Sequence, residues 1–371
     1  MKKTLHLTAL MVSISLSLAL ISCNNPTGSV PAGTTTGTTT TPTTSGENTN
    51  SGSSTTDSGN TNTTTTTTSG NESNNNNSVT QQPSSAPEGF VRVIGATVNG
   101  AITGSYVFIA DRSVTIPTMY VCDHEVTQAE YQAVMGNNPS SFNGSQGKEA
   151  ATGEIQANRP VEKVSWFDTI VYCNKRSIAE NLTPCYTIKK ADDTTVDSTN
   201  PTDWGTIPTN IPVRTTDANY PSYIRWNSVI CNFSANGYRL PTQVEWEYVA
   251  REGSTLSTNK YCGTNNKNEL INYAWYSTNS GNKTHEVKKK MANALGIYDM
   301  SGNVSEWCWD YAGYVYSTTG VEGPSSSTNS RVYRGGSYFR DDFYCTAKYN
   351  SNQNDIWRDC DFGFRVVRSA Q

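Results

Sequence analysis

The chain has 371 residues, 16% charged and 35% hydrophobic, with a formal net charge of −4. No basic block follows residue 3, so nucleic acid is not an expected partner, since that role needs a clustered cationic face. Nine cysteines stand against three histidines, only His124 and His285 beyond residue 6, and no C-x-x-C occurs. That leaves no structural zinc signature.

Met1-Lys2-Lys3 leads into an apolar run from Leu5 to Ile21 and then Ser22-Cys23. A cationic start, a short apolar stretch and a small residue before the cut read as a secretory signal over 1–22, too short for a membrane span. Leu20-Ile21-Ser22-Cys23 also resembles the bacterial lipobox, which implies acylation of Cys23. From Cys23 to residue 86 the chain is dominated by Thr, Ser, Asn and Gly, with an unbroken run from Thr63 to Thr68. Almost no large apolar side chain is available to offset chain entropy, so this segment reads as a flexible tether. The expected location is the bacterial cell envelope, at the outer-membrane surface, with contact to the membrane through the lipid alone.

Residues 87–371 form the folded part, large but within the range of one elaborate domain. Gly89 to Ile94 reads as an opening strand, Ala101 to Ala110 as a second, and Tyr120-Val121 as a continuation. Three helix starts carry capping signatures: Thr127–Glu130, Ser165–Asp168 and Thr242–Glu245. In each, a hydroxyl accepts from a free amide while the carboxylate reaches back to the first turn. The rest is turn-rich, without a repeat of 20 to 50 residues, so solenoids and propellers are disfavoured. The fold class is α+β, irregular, with few helices and short antiparallel strands. Cys122, Cys173, Cys185, Cys231, Cys262, Cys308, Cys345 and Cys360 follow Cys23. An even count in an exported chain permits disulfides but leaves their pairing open.

The C-terminal region is the most informative. Arg331-Val332-Tyr333-Arg334-Gly335-Gly336-Ser337-Tyr338 opens it and Gly363-Phe364-Arg365-Val366-Val367-Arg368 closes it. Between these regular brackets lies a polar, aromatic insert. Aromatic and arginine side chains present large amphipathic area at low entropy cost and dominate binding energies. The region 331–368 is therefore the candidate recognition surface. Glu245 and Glu247 read as a cap and a helix face, and His124 as a local hydrogen-bonding residue. No Ser-His-Asp set and no glycine-rich phosphate loop is present.

Several stretches together resemble the formylglycine-generating, sulfatase-modifying (FGE-sulfatase) family: Val121-Cys122-Asp123-His124-Glu125-Val126-Thr127, Arg159 to Trp166, Tyr238 to Tyr248, Gly296 to Trp307, Arg334-Gly335-Gly336-Ser337 and Gly363-Phe364-Arg365. The resemblance implies an elaborated C-type lectin fold over nearly all of Phe90 to Arg368. It also implies an enzyme, because family members with activity hold copper(I) on two cysteines after the Gly-Gly-Ser turn. Soft thiolates suit that metal. The matching positions here are Arg340 and Cys345, and a guanidinium cannot become a metal ligand. Ser305 also replaces an aromatic usual at its place. No copper and no catalytic residue are expected; the alternative is a copper-dependent oxidase of protein cysteine.

The insert further resembles the variable proteins of diversity-generating retroelements, among them treponemal surface lipoproteins. Adenine-directed mutagenesis of Asn codons there yields Asp, Tyr, Ser, Arg, Phe and Gly. The implied ligand surface is Tyr333, Tyr338, Phe339, Arg340, Asp341, Asp342, Phe343, Tyr349, Ser351, Asp355, Trp357, Asp359 and Asp361. Trp357 departs from the pattern, because adenine changes alone do not convert an Asn codon to Trp. The expected partner is an unidentified protein or other ligand on a host or bacterial surface, bound by a monomer. The resemblance also implies a structural calcium ion on the side chains of Asp299 and Glu306 and the carbonyls of Gly302 and Val304, hard oxygen donors on a tight loop.

Overall fold

A computed structural model describes residues 86–99, 113–254, 257, 259–312 and 329–370, all within the unit from Val79 to Gln371. The expected signal peptide, Cys23, the tether up to residue 85 and the strand expected over 101–110 lie outside the described residues.

Two four-stranded sheets organise the chain. The first runs β1 (Phe90–Val93), β4 (Met119–Cys122), β13 (Val367–Ser369), β8 (Tyr238–Arg239), with every neighbour antiparallel. The C-terminal strand thus lies inside the sheet, which fixes the closing bracket of the insert. The second runs β11 (Asn350–Asn354), β10 (Ser330–Arg334), β9 (Ser305–Tyr311), β12 (Phe362–Gly363). Here β10 is antiparallel to β9 and β11, and β12 is parallel to β9. The two brackets therefore flank one fully buried strand, β9. A hairpin, β2 (Ala96–Asn99) with β3 (Ser113–Ile116), and a sheet of β5 (Tyr186–Lys189), β6 (Asp197–Ser198) and β7 (Ile230–Cys231) complete the strands among the described residues.

All three sequence-read helix starts form. Thr127, Ser165 and Thr242 each accept from the third amide of α1 (Gln128–Met135), α2 (Trp166–Ala179) and α4 (Gln243–Ala250). Glu130, Asp168 and Glu245 each return a carboxylate to the cap amide, so two orphan donors are satisfied per end. The helices α3 (Tyr220–Asn227) and α5 (Leu270–Tyr273) carry no side-chain cap. The largest apolar cluster joins α2 to β9 through Trp166, Phe167, Trp307 and Phe364. Arg331 lies over Trp166 and Tyr311, 3.6 and 3.3 Å from the ring centroids, a buried cation held by aromatic faces. The expected α+β architecture is the one observed.

Candidate ligand-binding surface

Two buried arginines hold the brackets. Arg365 makes a bidentate pair with Glu306 (2.8 and 3.1 Å) and donates to the carbonyls of Cys122 and Tyr298. Arg334 donates to the carbonyls of Ala347, Lys348 and Gln243 and lies 3.4 Å from Glu247. Gly335 and Gly336 have φ of 93° and 72°, and a Cβ on Gly336 would stand 2.9 Å from the Tyr344 backbone. Only glycine suits that combination of hand and contact. At the other bracket a Cβ on Gly363 would lie 2.6 Å from the Val161 carbonyl.

Between the brackets, the chain is held mainly by its own backbone. The Arg340 carbonyl accepts from Ser277 N–H (2.9 Å), the Asp341 carbonyl from Tyr344, and the Ala347 amide donates to Lys260. None of these contacts depends on the identity of the side chain. Phe339 and Phe343 are exposed, 41% and 62%. Phe343, Tyr344 and Tyr349 form a three-ring cluster with centroids 4.9 to 5.6 Å apart. The Arg340 guanidinium lies 5.5 Å from the Tyr344 ring and 5.9 Å from Phe339, so these five side chains make one continuous patch. Tyr344, absent from the expected set, is the ring that joins its halves. Tyrosine belongs to the substitution set read elsewhere in the insert, so that signal was present.

The remaining expected positions divide. Asp341 is exposed and accepts from the Phe343 amide (3.0 Å). Asp342 pairs with Lys267 (2.6 Å) and accepts from the Tyr261 hydroxyl. Tyr333, Ser351, Trp357 and Asp359 are half-buried, and Ser351 faces Tyr333 across β10 and β11. Trp357 packs on the large apolar cluster.

Three positions do not join the exposed surface. Tyr338 is buried edge-on against Phe142 with its hydroxyl 3.2 Å from Cys360 Sγ. Asp355 is fully buried, accepts from the Tyr223 hydroxyl (3.0 Å), and gives its backbone carbonyl to Trp166 N–H. Burial pushes its carboxyl up to about 7, opposed by Arg331 and Tyr223. Asp361 is buried, accepts from Ser337 (3.1 Å) and lies 3.6 Å from Arg340. Burial pushes it up to about 6, opposed by Arg340 and reinforced by Asp359. Tyr338 and Asp361 touch the patch through Phe339 and Arg340, while Asp355 contacts Tyr223 and Trp166; the chemistry of all three matches the expected set, but their burial is set by the chain around them.

Two implied metal sites can be tested on the residues present. At the copper position, Arg340 is half-exposed and Cys345 fully buried. Burial, then Asp341 and Asp342, raise the Cys345 thiol pKa, which disfavours the thiolate that copper(I) needs. For calcium, Asp299 fits in one respect: its Oδ1 is buried without a partner, while Oδ2 accepts from Lys288 N–H (2.8 Å). Glu306 does not fit. Arg365 occupies both its oxygens and Trp246 Nε1 donates to one at 2.7 Å, so a ligating role would require breaking a buried ion pair. The expected calcium set of Asp299, Gly302, Val304 and Glu306 thus fails at Glu306, and no function is derived through it.

The residues that hold the brackets define a family. The Sulfatase-modifying factor enzyme 1-like domain matches residues 69–370, and the chain belongs to that family. Among solved structures it is similar to Treponema denticola variable protein 1, with a TM-score of 0.64 and 37% identity over 76% of this chain and 94% of that one. It is 36% identical over 288 residues to the chaperone protein LppX of Paenibacillus barcinonensis, 73% of this chain and 87% of the relative. A formylglycine-generating enzyme of Streptomyces coelicolor is 31% identical over 167 residues, 40% of this chain and 52% of the enzyme. The chain thus spans about half of that enzyme's length.

Proposed function

We propose that this chain is a lipid-anchored, surface-displayed binding protein of the cell envelope, non-catalytic, whose insert carries a ligand site diversified by a retroelement. The carrying observation is the patch of Phe339, Arg340, Phe343, Tyr344 and Tyr349, set on a backbone-bonded frame. Rings this exposed on a compact domain mark an interaction site. Their anchorage through backbone groups lets the side chains change while the frame persists. The likeness to a variable protein supports the same reading. In the oxidase alternative, Arg340 and the buried Cys345 would have to supply a metal ligand pair, which their chemistry opposes.

Sequencing of this coding region from many isolates tests the proposal. Changes should concentrate at codons for Phe339 to Phe343, Tyr344 and Tyr349 and fall at adenines of a nearby near-copy. Changes spread evenly over the domain, or no near-copy in the neighbouring genome, would overturn retroelement diversification.

A further inference from the structure

The turn after β4 gathers three different metal-ligating side chains from consecutive residues, Cys122, Asp123 and His124, with their ligand atoms within 4.8 Å of one another. Cys122 Sγ lies 3.8 Å from His124 Nδ1. Two ligands on a tetrahedral zinc, at about 2.3 Å for sulfur and about 2.0 Å for nitrogen, stand about 3.5 Å apart, so closure onto an ion needs only a small shift. Asp123 Oδ1 accepts from the same His124 Nδ1, a hydrogen bond that an ion would replace, so these two atoms move apart as they come to share it. The other oxygen, Oδ2, is held by Lys288 Nζ at 2.7 Å.

The surroundings are those of a ligand histidine. Its far nitrogen, Nε2, lies 3.3 Å from Glu130 Oε2, and Glu130 is itself fixed by the Thr127 cap and by Arg176 at 3.5 Å. A carboxylate on the far ring nitrogen fixes tautomer and ring orientation at metal centres. The backbone is equally constrained: Cys122 N–H donates to Val366 O, Asp123 N–H to Gly89 O, and Arg365 donates to Cys122 O. Cys122 is buried with a free thiol, while the side chains of Asp123 and His124 are 15% exposed, which leaves solvent access for a fourth ligand.

We propose that Cys122 Sγ, Asp123 Oδ1 and His124 Nδ1 form a three-ligand site for a borderline divalent cation, zinc, with water in the fourth position. Binding displaces the thiol proton and the proton on Nδ1 to solvent. The three residues are contiguous and show none of the spaced patterns that mark zinc sites in sequence. The site is separate from the insert and stands whether or not the insert binds a ligand.

The test uses the full chain, stripped with a chelator and titrated with zinc chloride in a calorimeter, and in parallel with cobalt(II) in an absorption spectrometer. One ion per chain and a thiolate-to-cobalt charge-transfer band are expected. Cys122→Ser should abolish the band, and His124→Ala should weaken zinc binding at least about 100-fold, more than the roughly 10-fold expected for the outer partner change Glu130→Gln. Cys345→Ser should leave both readouts unchanged. His124 is partly exposed, so its variant keeps the test decisive if Cys122→Ser fails to fold. Absence of uptake at an equimolar ratio, or uptake unchanged in both ligand variants, would overturn the proposal.

Discussion

The brackets and the insert obey different rules although they are contiguous in the chain. In the brackets, Arg334 and Arg365 are fully buried, and their bonds to Glu306 and to main-chain carbonyls depend on the guanidinium itself. In the insert, main-chain bonds hold the segment that carries the patch, and Phe339 and Phe343 are exposed. Stability is thus concentrated in buried side chains, and the proposed function assigns recognition to the exposed ones. Burial marks the boundary and chain position does not, since Asp355 and Asp361 lie within the insert yet are buried like the brackets.

The largest loss of stability is expected for Arg365→Met. It strands Glu306 as an uncompensated buried charge and should cost about 3–5 kcal/mol in urea unfolding. A loss no larger than that of an insert substitution would erase the distinction. Gly336→Ala adds a Cβ at 2.9 Å from the Tyr344 backbone at positive φ and should cost about 2 kcal/mol by the same measurement.

A pH series sharpens the boundary inside the insert. Asp355, at about 7 when folded against about 4 unfolded, holds its proton more tightly in the native state. Its contribution is complete below about pH 4 and is lost as pH rises through about 7. Asp361, raised to about 6, acts in the same direction. Asp355→Asn keeps an acceptor for Tyr223 and should flatten the fall in unfolding midpoint between about pH 4 and about pH 7. An unchanged slope would remove Asp355 from the buried set. The smallest expected effect is Phe343→Ala, within about 0.5 kcal/mol of the parent in stability, which calorimetric melting resolves. A loss of several kcal/mol there would make the ring structural.

Much of this was legible from local chemistry. The capping pairs Thr127–Glu130, Ser165–Asp168 and Thr242–Glu245 act over three residues, so sequence carries them intact. Helix α3 was not read: it begins Tyr220-Pro221, has no side-chain cap and packs through long-range contacts of Tyr223 and Trp226. The family resemblance alone marks Glu306 as a calcium ligand. Its actual partner, Arg365, lies 59 positions on, a pairing only the fold creates. Asp355 fitted the expected substitution set by residue type, but its amide and carbonyl tie β11 to Asn329 and Trp166, which buries it.

The most direct test of the two-region account is a paired codon library in the full chain. One library randomises Phe339, Arg340, Phe343, Tyr344 and Tyr349; the other randomises Tyr338, Asp355 and Asp361. Thermal unfolding midpoints of individual members are then compared. Most members of the first should melt near the parent and most of the second well below it or not fold. Equal losses in both libraries would contradict the division of labour between a fixed frame and replaceable surface side chains.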